Sequence, residues 1–261
     1  MAIASLDDYI ASTRQKLTIY KSASMTTVAA TTFSPFALAG QPGAGTLSPG
    51  NTANGTVPTD AIDGYPKIEA LTGTGYLSRV MYSGSVAGNL RLYDRLFCAG
   101  AYAYNADTTL ASVPSFAARV PNTFYNGLEL WYEQVTAGTG IPSIRVYYLD
   151  QDGNAGDTGV VSLGVAHILG RCTRLPLASG DSGVSGITRV TASVATAGTF
   201  NISVLRPLWN GRVTVANDLR VDDLLSTGMP QVYADSAIYM LVDPDSTASG
   251  TPYLALEIAD K

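Results

Sequence analysis

From about residue 76 onward, apolar and polar side chains alternate with a period of two. Leu90 and Leu92 alternate with Arg91 and Tyr93; Leu128, Leu130 and Tyr132 alternate with Glu129, Trp131 and Glu133. Ile144, Val146 and Tyr148 alternate with Arg145 and Tyr147; Val190, Ala192 and Val194 with Arg189, Thr191 and Ser193. Phe200, Ile202 and Val204, then Ile238, Met240 and Val242, then Leu254, Leu256 and Ile258 repeat the pattern. Such alternation sends one side of a segment into a core and the other to water, and predicts half-buried strands. Turn residues separate them at Ser83–Asn89, Ala137–Gly140, Asp150–Asn154, Thr196–Gly198 and Asp243–Gly250. Gly and Asn supply positive φ at such corners and Asp caps them locally, so several read as hairpins.

Upstream the pattern differs. Ser5 and Asp8 have capping-box spacing, and Leu6, Ile10 and Leu17 fall on one face, predicting a short helix over 5–17. Residues 32–75 are rich in Gly, Pro, Thr, Asn and Ala and hold neither period for long. Structureless stretches beyond about 12–15 residues tend to be functional or linkers, so this one reads as an extended arm, with a flexible linker or a surface loop holding one short strand as the alternatives. A second helix is predicted at about 218–226, capped by Asn217, packed through Leu224 and Leu225, and ended by Gly228. The expected fold is mainly β: a jelly-roll-like antiparallel β-sandwich (76–261) preceded by a short helix and an extended N-terminal arm (1–75).

Composition narrows the function. Of 261 residues only 14% are charged, against about 25% in ordinary domains, and the net charge is -5. That excludes a disordered chain and an electrostatic nucleic-acid binder. No apolar run approaches the roughly 18 residues of a membrane helix, and MAIASLDDYI lacks the features of a secretory leader. Low charge with fifteen tyrosines suits burial inside an assembly, because interface cores are depleted in charge and anchored by aromatics. The interface candidates are Leu6, Tyr9, Ile10, Phe33, Phe36, Leu47, Tyr65, Tyr102, Tyr104 and Tyr125. Cys98 and Cys172 read as reduced, buried thiols, and the sequons at Asn54 and Asn201 as chance matches.

Catalytic and metal motifs are weak. Gly180-Asp181-Ser182-Gly183 matches the nucleophile tetrapeptide of trypsin-like proteases, but the sole histidine, His167, is only fifteen residues upstream. A polar turn explains the tetrapeptide, and one histidine cannot build a His-rich metal site. Asp150, Asp152 and Asn154 resemble the first half of a calcium loop, yet Gly153 is one place early and Val161 stands where a Glu is needed. Asp218, Asp222 and Asp223 read as a solvated helix face, and Glu129 and Glu133 as carboxylates on a wet strand. No cofactor, metal or catalytic residue is expected.

Several segments resemble an uncharacterised group of tailed-bacteriophage virion proteins. They include SLDDYIAS, AGQPGAGTLSPGNTANGTVPTDA, LRLYDRLFCAGAYAYNADTTLAS, GLELWYE, LGRCTRLPLASGDSGV, TFNISVLRPLWNGRV and YADSAIYMLVDPDS. The resemblance implies a structural part of the particle and brings no catalytic residues. The leading expectation is a capsid decoration (cement) or minor head protein, found in the virion after assembly in the host cytoplasm. Its partners would be the phage major capsid protein or other virion subunits, with homo-oligomerisation, a trimer among the arrangements. A tail, neck or baseplate protein is the alternative. A host-glycan-binding or hydrolytic β-sandwich using Tyr102, Tyr104, Tyr125, Trp131, Tyr132, Tyr147 and Tyr148 with Glu129, Glu133 or Asp150 is a third.

Overall fold

A computed structural model describes residues 3, 5–48, 51–164, 168–193 and 196–261; His167 and Val194 lie outside the described residues. The chain is mainly β, 47% strand and 6% helical. Helix α1 (Leu6–Ala11) leads into strands β1 (Thr13–Lys21), β2 (Gly40–Gln41), β3 (Asn51–Thr56) and β4 (Gly75–Ser83). The long β5 (Gly88–Ala103) follows, then β6 (Asp107–Thr109), β7 (Glu129–Thr136), β8 (Ser143–Asp150) and β9 (Ala155–Asp157). Next come β10 (Val161–Ser162), β11 (Cys172–Arg174), β12 (Val184–Ala192) and the long β13 (Thr199–Val213). The chain finishes through β14 (Arg220–Asp222), helix α2 (Leu224–Thr227), β15 (Gln231–Val232), β16 (Ile238–Pro244) and β17 (Tyr253–Asp260).

Two compact units result, and neither follows the expected division at residue 75. Unit 1 comprises Met1–Gly45, Thr59–Asp94 and Leu208–Lys261; unit 2 comprises Thr46–Pro58 and Arg95–Pro207.

Unit 1 carries an antiparallel sheet in the order β14-β4-β17-β1-β2, with β15 also on β4. β17 sits between β1 and β4 and pairs Leu17 with Leu256, Ile19 with Leu254, and Leu256 with Val80. These side chains are at most 7% exposed, as period-two strands with one buried face require. In the second layer β16 pairs antiparallel with the first half of β5, from Ile238 opposite Asp94 to Pro244 opposite Gly88. Ile19 of β1 and Ile238 and Met240 of β16 line one small cavity beside Lys21 and Phe36, so the layers face each other. The Lys21 ammonium is buried and donates to the carbonyls of Phe36, Leu38, Pro42 and Gly43 at 3.1–3.4 Å. Burial pulls its pKa down to about 8.

Unit 2 is a sandwich of two antiparallel sheets. One has the order β10-β8-β12-β6, with β9 on β8; the other runs β11-β7-β13-β5, with β3 on β5. Leu130 and Tyr132 of β7 and Phe200, Ile202 and Val204 of β13 meet Ile144, Val146 and Tyr148 of β8 and Ile187 and Val190 of β12. Antiparallel sandwich packing is therefore the observed fold.

Three expectations are corrected. Four connections read as joins or hairpins between neighbouring strands pass from one sheet to another: β4 to β5, β7 to β8, β12 to β13 and β16 to β17 are not paired. Only Asp150–Asn154 among those turns joins a true hairpin, with β8 pairing β9. Second, the helix over 5–17 stops at Ala11, because Thr13–Lys21 alternates toward the sheet and is taken up by β17. Third, residues 32–75 are no free arm. Phe33 exchanges two 2.8 Å backbone hydrogen bonds with Val242, β3 pairs β5, and Tyr65 and Ile68 are buried. Gly55, at φ +71, lets the arm press on β5: a Cβ there would come within 2.0 Å of the Phe97 ring.

Candidate interaction surface

Helix α1 is held to unit 1 by polar contacts and turns apolar side chains outward. Ser5 caps it, accepting from the Asp8 backbone N–H at 3.1 Å, and the Ser12 hydroxyl closes it on the Tyr9 carbonyl at 2.7 Å. The Tyr9 hydroxyl donates to Glu257 at 2.8 Å, and Lys261 pairs with Asp8. The Arg14 guanidinium lies 5.2 Å from the Tyr9 ring centre. No residue of α1 is buried, and Leu6 and Ile10 are 65% and 62% exposed.

Helix α2 begins at Asp223, whose carboxylate accepts from the N–H groups of Leu225 and Ser226. Asp223 therefore caps the helix in place of the expected Asn217, and Gly228, at φ 66, ends it. The predicted helical stretch 218–226 is shortened because Arg220–Asp222 pairs with β4 as β14. The Thr227 hydroxyl anchors α2 to the Leu77 carbonyl at 3.0 Å, while Leu225 is 83% exposed. A groove of about 520 Å³ opens here, lined chiefly by Ile3, Leu6, Tyr9, Leu224, Leu225 and Met229. An exposed apolar surface on a well-packed domain marks an interaction site more often than chance.

The other interface candidates lie elsewhere. Phe33, Phe36, Leu47, Tyr65, Tyr102 and Tyr104 are all at most 7% exposed. Phe36 packs against Tyr65 and Tyr239, with ring centres 4.7 and 5.7 Å away. The Leu47 carbonyl accepts from Asn201 at 2.6 Å, and the Tyr102 hydroxyl donates to the Thr52 carbonyl at 2.7 Å. Tyr104 hydrogen-bonds Tyr132 and Gln134. Tyr125 is half-buried, edge-on to Phe116. The chain covers these six itself, which corrects their reading as contacts to a neighbour. Leu6, Tyr9, Ile10 and the half-buried Tyr125 remain, and Leu225 and Met229 join Leu6 and Tyr9 along the groove from a segment the sequence marked only as a helix.

The chemical motifs resolve into structural contacts. Ser182 donates to Asn126, and Asp181 accepts from the Tyr148 hydroxyl at 2.7 Å. Asp150 accepts from the backbone N–H groups of Asp152 and Asn154, both at 2.8 Å, a closed turn. Burial opposes its ionisation, but the Asn154 and Asp152 hydrogen bonds outweigh it and hold the carboxyl below its ordinary pKa. Asp218 pairs with Arg220, Asp222 accepts from Trp209, and Asp223 caps α2. Glu129 accepts from the Trp131 ring N–H at 2.9 Å.

Glu133 lies on no wet face. Its carboxylate is 2.7 Å from the Arg95 guanidinium, each side chain 3% exposed. Arg95 also donates to Ser203 and to the Cys98 sulfur, and Asn201 donates to Glu133 at 3.1 Å. The sequence pattern hid this network, because one alternating face was taken for solvent. Burial pushes the Cys98 thiol up, against the pull of Arg95, so it is a protonated and poorly nucleophilic group. Cys98 and Cys172 are both buried and form no disulfide. Asn201 is fully buried, which removes it as a sequon.

On the outer side of the β6–β12–β8–β9 sheet, Arg189 pairs with Asp107 and Arg145 with Asp157, both at 2.7 Å. Both guanidiniums approach the Tyr147 ring, at 5.3 and 5.0 Å from its centre. The hydrogen bonds from Arg189 and Arg145 hold the two carboxyls below the ordinary carboxylate range.

Fold and surface together define a β-sandwich protein with an outward apolar groove beside α1 and α2. No known family matches the chain, and no curated protein matches it. Among solved structures, one of infectious bursal disease virus, Gt strain, aligns with TM-score 0.18 and 9% identity, covering 95% of this chain and 81% of that one. A VP2 protein of the same virus, in derived T=1 particles, aligns with TM-score 0.17 and 10% identity over 95% and 77%. Scores this low carry neither a common fold nor a function to this chain.

Proposed function

We propose that the chain is a structural, non-enzymatic subunit of a tailed-phage particle, acting as a capsid decoration or minor head protein. The carrying observation is the α1–α2 surface, where a helix fixed by polar contacts presents Leu6 and Ile10 outward beside Leu225. The sequence resemblance to tailed-phage virion proteins supports the setting. The engagement of the candidate catalytic groups in turns, caps and buried pairs supports a structural role. Partners on this reading are the major capsid protein or other virion subunits, with self-association into a homo-oligomer. β1, β2 and β3 already belong to the folded units, so these strands need no partner chain to order them.

Separated heads and tails of purified particles, analysed by quantitative mass spectrometry, test this. The chain is expected in heads at a fixed ratio to the major capsid protein. Absence from particles overturns the proposal; presence in tails alone replaces it with a tail, neck or baseplate role.

A further inference from the structure

We infer that the α1–α2 groove receives an apolar segment flanked by lysine or arginine, carried by a different protein chain. The inference rests on the reading of this surface as a subunit contact and adds the chemistry of the occupant. Its volume, about 520 Å³, is within the roughly 300–1,000 Å³ that hold a small ligand or a few side chains. Two short helices with leucines facing across a groove suit the helix-in-groove mode of recognition.

Charge selects among occupants. Asp223 is the charged residue lining the groove, and Asp7 follows Leu6 on the exposed side of α1. Among the described residues, Lys261 pairs with Asp8 and Arg14 lies over the Tyr9 ring, while Asp7 and Asp223 are both exposed. The rim is thus acidic around an apolar floor, complementary to an apolar segment with basic flanks. A second copy related by a two-fold axis fits poorly, because such a contact sets the same patch against itself and would oppose Asp7 and Asp223 to their own equivalents.

The test uses the full chain and two synthetic amphipathic peptides of about four helical turns, one of leucine and lysine, the other of leucine and glutamate. Fluorescence anisotropy should show the lysine peptide binding about tenfold or more tighter than its glutamate twin, and weakening as salt rises from about 0.05 to about 0.5 M. Leu225→Asp should weaken it about tenfold and Asp7→Lys about threefold. Both side chains are exposed, so melting temperatures should not move, and circular dichroism checks this. Equal binding of the two peptides, or variants binding like the parent, overturns the inference. Sedimentation showing a dimer that Leu225→Asp dissolves overturns it in favour of a second copy. Particle location is measured separately, so a virion protein whose groove ignores both peptides loses this inference and keeps the structural role.

Discussion

Glu133 and Arg95 show what a charge costs at the level of one side chain. Removing one partner of a buried pair strands the other, so Glu133→Ala should lower unfolding free energy by about 3–5 kcal/mol. Replacing both with apolar residues should cost less than either single change, and denaturant unfolding of the three variants measures this. The tyrosines give a second prediction. Burial raises the pKa of Tyr104, Tyr132 and Tyr102, and burial with the Asp181 hydrogen bond pushes Tyr148 up to about 12. Unfolded tyrosine titrates near 10, so these groups contribute stability fully present below pH 10 and lost as pH rises through their folded values. The denaturation midpoint should fall above pH 10, and the tyrosinate absorbance of this set should emerge only with unfolding. The sequence could not separate such residues from interface anchors, because a ring with a polar tip serves both places equally. Tyr102 and Tyr104 were settled by what covers them, Thr52, Tyr132 and Gln134, which are 28 to 50 residues away.

Helix α1 and strand β1 are adjacent elements with opposite weight. α1 buries no residue, whereas β1 sits between β17 and β2 with Leu17 and Ile19 in the core. Deleting residues 1–12 should therefore cost about 1–2 kcal/mol, mainly the Tyr9–Glu257 and Asp8–Lys261 contacts. Deleting residues 1–21 removes β1 and should abolish the cooperative melt of unit 1; calorimetry of both truncations distinguishes them. Strands over 142–149 and 254–258 were legible because apolar residues recur at every second position, and those over 128–136 and 238–242 because apolar and β-branched or aromatic residues dominate them. β1 was not, because Leu6, Ile10 and Leu17 happen to share helical spacing while Leu17, Ile19 and Lys21 share strand spacing. β2 and β3, of two and six residues rich in Gly and Asn, carry no period; only their partners define them. Of the residues that line the groove, Leu6 and Tyr9 were interface candidates from the sequence. Leu225 was expected to pack inward, a face that depends on where α2 starts.

Across the molecule, many of the few charges are either buried or paired. Lys21, Asp94, Arg95, Arg119, Glu133 and Arg206 are buried, and exposed Arg145 and Arg189 are matched by Asp157 and Asp107. The interior thus takes charges that alternation alone would place in water. Access to the interior can be read through the thiols: Cys98 and Cys172 should resist a thiol reagent in the folded protein and react as two equivalents on denaturation. Early reaction of either would show that its unit opens locally.

The position of β17 also bears on how the protein is made. β4 and β1 are joined through β17, whose register ends at Asp260 opposite Thr13. A growing chain emerging from the ribosome has therefore synthesised almost every other strand before this sheet can close. Until then Leu17, Ile19, Leu77 and Val80 have no neighbouring strand to cover them from that side. Such sequence-distant pairing is slow and exposes sticky surface meanwhile. High-level production would thus depend on chaperones that hold the nascent chain until β17 arrives.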